Sequence, residues 1–178
     1  QMQTNFGFNM LAIQNGVPKI LSLRQILDAY IEHQKEVVVR RTRFDKEKAE
    51  ARAHILEGLL IALDHIDEVI RIIRASETDA EAQAELMSKF KLSERQSQAI
   101  LDMRLRRLTG LERDKIQSEY DELIALIADL ADILAKPERV AQIIKEELDE
   151  VKRKFGDARR TELMVGEVLS LEDEDLIE

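Results

Sequence analysis

Three histidines, two tyrosines and a cluster of arginines have the widest chemical reach in this sequence, and their spacing limits what they can do. His33, His54 and His65 lack the His-Glu-x-x-His spacing that brings two imidazoles and a carboxylate to one zinc ion. Tyr30 and Tyr120 fall on apolar helical stripes, where a tyrosine packs its ring and leaves its hydroxyl near water. There is no glycine-rich phosphate loop, no G-x-S-x-G elbow and no ordered Ser/His/Asp set. The absence of cysteine removes disulfides, thiolate metal sites and a thiol nucleophile together. The chain is therefore read as having no catalytic residue, metal or cofactor of its own.

Cations gather on one stretch. Arg40, Arg41, Arg43, Lys46, Lys48 and Arg52 either attract phosphate or form the solvated face of a coiled coil, balanced by Asp45, Glu47 and Glu50. Residues 1–54 carry nine Lys/Arg against six Asp/Glu, residues 55–156 carry 16 against 22, and residues 157–178 carry two against eight. The acidic run Glu172 to Asp175 reads as a solvated linker leading to a further segment.

The elements that carry these side chains are mostly helical. Between Gly16 and Gly58 there is no glycine, and between Pro18 and Pro137 no proline, so the helix-ending residues are missing from Leu23 to His54. At ~1.5 Å per residue that stretch alone reaches about 50 Å. Ser22 offers a side-chain oxygen to cap its start. The apolar stripe Leu23, Ile26, Leu27, Tyr30, Ile31, Val37 and Val38 suits one seam of a two-helix arm. A returning helix is expected from Pro137 to Phe155, with the seam Val140, Ile144, Leu148, Val151 and Phe155 and a left-handed cap at Gly156.

Beyond His54 the apolar face widens through Leu56, Leu59, Leu63, Ile66, Val69 and Ile73, which predicts a small helical globule at the far end of the arm. Thr78 or Asp79 caps a helix to about Phe90, and Ser93 with Gln96 has capping-box spacing for a helix ending before Gly110. Ile116, Tyr120, Leu123, Ile127, Leu130 and Leu134 then repeat at heptad intervals. Five helices are expected. Before them, Asn15-Gly16 between two β-compatible runs predicts a hairpin closed by a type I′ turn. A further β-compatible patch, Thr161 to Val165, is expected to add a strand beside it.

The composition fits this mainly α reading: 178 residues, 44% hydrophobic, 35% charged, 4% aromatic and a formal net charge of −9. No apolar run approaches the ~20 residues needed to cross a bilayer, and no basic-then-apolar leader opens the chain, so a soluble cytoplasmic protein with no membrane partner is expected.

Several separate strings, in order, resemble the A subunits of bacterial DNA gyrases, with those of topoisomerase IV as the second choice within the type IIA topoisomerases. They are Thr4 to Met10, Val39 to Arg43, Ala53 to Gly58, Ala99 to Glu112 and Phe155 to Glu162. The resemblance implies a fragment: the end of the tower domain (1–22), an outgoing coiled-coil arm (23–54), the helical exit-gate globule (55–136), a returning arm (137–156), and a strand at the tower with an acidic linker (157–178). It implies a homodimer joined tip to tip, a gyrase B subunit that brings ATP and Mg2+ to the parent complex, and a duplex DNA in transit. The family's active-site tyrosine lies upstream, and neither Tyr30 nor Tyr120 matches its context.

On the same resemblance, Ile100, Met103 and Leu108 present an apolar dimer surface. Arg104, Arg106 and Arg107 add ion pairs, and the turn Thr109-Gly110-Leu111 completes the latch, carried on a helix from Ser93 to Leu108. The alternative reading makes the apolar residues core. Gly58 is taken as a hinge or close-packing point between arm and globule, or else as a tolerated helix glycine. Arg40, Arg41 and Arg43 are candidates to face DNA. Two other classes stay open: a stand-alone helical adaptor, and a nucleic-acid-binding module that reads DNA through Arg40 to Arg52, against which the net charge weighs.

Overall fold

The computed structural model describes residues 7–104 and 110–160. The chain starts with a hairpin, β1 (Leu11–Gln14) and β2 (Val17–Ile20), paired antiparallel with Leu11 opposite Ile20 and Gln14 opposite Val17. Asn15 and Gly16 take φ of 52° and 77°, the two positive values a type I′ turn demands. The hairpin expectation therefore holds. The strand expected at Thr161 to Val165 lies outside the described residues.

Helix α1 (Leu23–Asp64) runs for 42 residues, about 63 Å at the standard rise. Its start is a full capping box: Ser22 Oγ accepts from Gln25 N–H at 3.4 Å, and Gln25 Oε1 accepts from Ser22 N–H at 2.8 Å. There follow α2 (Ile66–Ala75), α3 (Asp79–Phe90), α4 (Glu94–Leu101), α5 (Gly110–Ala135) and α6 (Pro137–Phe155). Thr78 caps α3, and Ser93 with Gln96 forms the capping box of α4, as the sequence predicts. The described residues hold six helices rather than five. The extra break is at His65, where no glycine or proline stands; its ring meets Phe90 at 5.4 Å between centroids, and α2 leaves there to pack on α3.

Among the described residues of the first unit, 1–145, two clusters gather most of the buried apolar side chains. The larger joins Leu56, Leu59 and Ala62 of α1 with Val69 and Ile72 of α2, Leu86 of α3, Leu92, Ile100 of α4 and Ile116 of α5. The smaller joins Val38 of α1 with Ile133 of α5 and Val140 and Ile144 of α6. Between them α1 presents Thr42, Ala49 and Ala53, all buried, so short side chains line the seam and let the helices approach closely.

The partner of α1 along this seam is chiefly α5. Asp64 pairs with Arg113, Arg52 with Glu119, and Val38 packs with Ile133, so numbering falls on one helix as it rises on the other and the pair is antiparallel. The return of the arm expected from Pro137 onward thus begins a helix earlier, in α5. The heptad of α5 supplies the reason: its apolar repeat has the length and spacing to follow α1 down to Val38. Arg139 bridges Asp129 and Asp132 at 2.8 and 2.9 Å, and Lys136 meets Asp132 at 2.5 Å, which ties the start of α6 back to α5.

Residues 146–178 form a second unit, described as far as Arg160. It holds the last half of α6, with Lys154 paired to Glu150 at 2.7 Å. Leu148, Val151 and Phe155, expected on a buried seam, are exposed. Gly156 is not left-handed as expected; its N–H donates to the Lys152 carbonyl at 2.8 Å, and a Cβ there would strike that same carbonyl oxygen. The left-handed cap belongs instead to Lys91, at φ 53° and ψ 39° after α3.

Candidate functional site

A closely interlocked set of side chains lies where α1 meets α4. Ser93 caps α4 with its hydroxyl, accepting from Gln96 N–H at 3.3 Å, and Gln96 Oε1 accepts from Ser93 N–H at 2.9 Å. The same Gln96 reaches α1, where its Nε2 donates to the His54 carbonyl at 2.8 Å and lies 3.4 Å from His54 Nδ1. His54 Nε2 is 2.7 Å from Ser93 Oγ. One tautomer satisfies all of these: Nδ1 accepts from the Gln96 amide, and Nε2–H donates to the Ser93 hydroxyl. Gln96 is 4% exposed, so every one of its polar atoms needs such a partner.

This arrangement resembles a nucleophile beside a base, and Glu57 Oε2 lies 4.0 Å from His54 Nδ1 as if to orient it. The details decide otherwise. The Ser93 hydroxyl is engaged as a helix cap, the Glu57 contact is too long for a hydrogen bond, and Nδ1 faces an amide. The constellation is a clamp between two helices. Directly beneath it lies Gly58, buried, where an added Cβ would come within 2.7 Å of both Cβ and Cγ of Gln96. Helix α1 continues unbroken through Gly58, so the glycine serves close packing rather than a bend.

Beside the clamp α1 and α4 enclose an open cavity of about 450 Å³. Ile55, Leu59, Ala99 and Met103 form its apolar floor, and Arg52, Asp102 and Arg104 stand at its rim. Arg52 is held by Glu119 through two parallel hydrogen bonds, which fix its guanidinium at the rim and raise its pKa above the ordinary arginine value.

The residues expected to form a dimer latch divide on this geometry. Ile100 is 2% exposed and belongs to the protomer's own core, a correction to its place on an interface: α4 ends at Leu101, sooner than the Ser93–Leu108 helix assumed, and Ile100 faces Leu56 and Leu59. Met103 is half-buried, packed on that core and open to the cavity. Arg104 is exposed at the rim, and Gly110 is exposed at the start of α5. Arg106, Arg107, Leu108 and Thr109 lie outside the described residues, and of Leu111 only the backbone, in α5, is described.

Arg40, Arg41 and Arg43 are exposed on α1, and even Arg43 stands nine residues, about 13 Å of helical rise, before Arg52. The structure does not bring them to the cavity. Tyr30 is 47% exposed, whereas Tyr120 packs against the larger core as expected. Among the described residues no group of three or more His, Asp or Glu side chains is placed to hold a metal ion, and no helix is long and apolar enough to cross a membrane. Sequence reasoning found the capping box but missed the clamp. The missing signal was long-range: His54 and Gly58 stand four apart on α1, and only the fold sets that pair against Gln96.

The sequence that builds these elements is similar to known proteins along its whole length. The family model for the A subunit of DNA gyrase/topoisomerase IV matches residues 1–149. The chain belongs to that family. It is 96% identical over 178 residues to the DNA gyrase A subunit of Streptococcus pneumoniae, covering 100% of this chain and 22% of that protein. The gyrase A subunit of Streptococcus pyogenes serotype M1 is 84% identical over 177 residues, covering 99% of the chain and 21% of the relative. That of Staphylococcus epidermidis is 60% identical over 176 residues, covering 99% and 20%. The chain thus spans about a fifth of the length of the curated relatives it matches. Whatever the family accomplishes with its full length, this part brings helices and a clamp to it.

Proposed function

We propose that this chain is the coiled-coil and exit-gate segment of a gyrase A subunit, which joins two copies through the globule at the end of α1 and parts to release a transported DNA duplex. The observation that carries the reading is the antiparallel α1/α5 pair that ends in a compact helical globule bearing a concave, apolar-floored, charge-rimmed surface around Met103. A two-fold contact needs only one self-complementary patch, and a floor of Met103 and Ile55 beside a rim of Arg104 and Asp102 offers both halves of one. The arm is a spacer that keeps the joined globules away from the site of DNA cleavage.

Residues 55–156 carry more carboxylates than cations, 22 against 16, which disfavours a lasting grip on phosphates where a duplex must leave. Cleavage and the energy of ATP, with its Mg2+, come from other parts of the complex, the latter through the B subunit. This segment supplies mechanical separation, and the apolar hairpin residues Leu11, Ile13 and Ile20, exposed here, are where the remainder of the parent chain packs.

The test is a covalent bar across the gate. Arg104→Cys in a full-length A subunit otherwise free of reactive cysteines, assembled with its B subunit, should form a disulfide between the two copies on oxidation. Duplex transport should then stop until a reductant is added. Failure to cross-link the copies, or transport that continues across the bar, would contradict the reading.

A further inference from the structure

Any gate that opens must bend somewhere, and the junction of α1 with α4 is the obvious candidate because a glycine stands there. The contacts at Gly58 argue the opposite. From the geometry we infer that Gln96 is a positioning residue that locks α4 onto α1, so that the end of the arm and the first part of the globule move as one rigid body and the opening motion takes place elsewhere. This inference rests on the exit-gate reading and deepens it.

Three features converge on it. First, Gln96 is tied at both ends of its amide to different elements: Oε1 to the Ser93 N–H of its own helix start, Nε2 to the His54 carbonyl of α1. Sliding α4 along α1 by a single residue would strand a buried amide without partners, which is costly in a dry interior. Second, the stem of Gln96 lies so close to Gly58 that no side chain fits between the helices there. Close approach of this kind spreads dispersion contacts over both backbones and leaves no slack for rotation. Third, Ser97, which is 0% exposed, returns its hydroxyl to the carbonyls of Ser93 and Glu94 at 3.1 and 2.9 Å, so the first turn of α4 is fixed on its buried side as well. Hinge segments have the reverse character, with few buried contacts and backbone groups open to water.

A reversible lock separates a rigid junction from a hinge. In a full-length A subunit otherwise free of reactive cysteines, assembled with its B subunit, Gly58→Cys with Gln96→Cys places two Cβ atoms within the reach of a disulfide after a shift of roughly 1 Å. The inference expects three results. The disulfide forms on mild oxidation; the reduced form, without the clamp, transports duplexes more slowly than the parent enzyme; and oxidation restores the parent rate. A loss of about tenfold or more on oxidation, reversed by a reductant, would show that α1 and α4 must separate during opening and would overturn the inference.

Failure of the disulfide to form would overturn it too, since the close approach of the two helices would then be absent. Gly58→Ala supplies an independent wedge, because its methyl group forces Gln96 and α4 outward. It should slow transport while leaving the mass of the dimer unchanged, and an unaltered transport rate together with an unaltered Tm would contradict the lock. The Arg104→Cys bar keeps the two questions apart: transport across the bar refutes the gate itself, whereas an inhibitory lock at Gly58 and Gln96 refutes only the rigid junction.

Discussion

Arg52 of α1 and Glu119 of α5, 67 residues apart in the chain, meet through two hydrogen bonds, Nε to Oε1 at 2.7 Å and Nη2 to Oε2 at 3.0 Å. A bidentate pair fixes direction as well as distance, so this contact sets the register of the two helices in the stretch where their seam is lined by alanines. It also stands at the rim of the Met103 cavity, which links the geometry of the arm to that of the proposed latch.

Both side chains are nearly half exposed, so the pair is worth roughly 0.2–1 kcal/mol and its main contribution is register rather than stability. A double-mutant cycle of Arg52→Ala and Glu119→Ala should return a coupling within that range, shrinking as salt is raised. A coupling near zero at low salt would mean that the alanine seam alone sets the register.

Gly58→Ala offers a sharper test of packing. In an unconstrained helix interior the change gains about 1 kcal/mol. Here the methyl group collides with the stem of Gln96, and overpacking of this kind costs typically about 1–3 kcal/mol, so the variant should unfold at lower temperature than the parent. A raised Tm would contradict the close approach.

Lys91 ends α3 in the left-handed region, where a side chain costs about 1 kcal/mol relative to glycine. Lys91→Gly should therefore stabilise the chain by up to about that amount, less the greater freedom that glycine gives the unfolded state. Denaturant titration with an unchanged slope is the appropriate measurement, and a fall of more than about 1 kcal/mol, beyond what the unfolded-state freedom of glycine explains, would show that the lysine makes a compensating contact.

Acid should loosen the globule and the α5–α6 junction before the core itself is challenged. A hydrogen bond from Lys89 at 2.5 Å, aided by Arg71, holds the Glu68 carboxylate below its usual pKa, and Lys136 with Arg139 does the same for Asp132. A carboxylate with a depressed folded-state pKa adds stability that is fully present above its ordinary value and is lost as pH falls through the folded one. The contribution of these two carboxylates to stability should thus be flat from neutrality to about pH 5 and decline below it. In Glu68→Gln the decline should be shallower, and an identical acid limb would exclude this carboxylate as a contributor.

Much of this architecture is legible from local signals. Asn15-Gly16 demands the turn it makes, Ser22, Thr78 and Ser93 cap the helices they precede, and a stretch free of glycine and proline becomes the greater part of one helix of 42 residues. What is not legible depends on long-range packing. Nothing in the sequence around His65 stops a helix; the stop comes from α2 turning onto α3. The heptad of α5 announces a partner but not which one, and it pairs with α1. Ile100 carries the same apolar character whether it faces a second copy or its own core, and only its burial in one cluster with Leu56 and Leu59 decides for the core.

Every role proposed for the arm and the globule depends on two copies joining through the globule. Light scattering of the purified 20.5 kDa chain behind a sizing column, over a range of concentrations, shows whether they do. A species of twice the chain mass is expected, weakened more by Met103→Glu than by Ile127→Ala. A chain that remains at the monomer mass at every concentration, or a dimer equally sensitive to both substitutions, would contradict the gate.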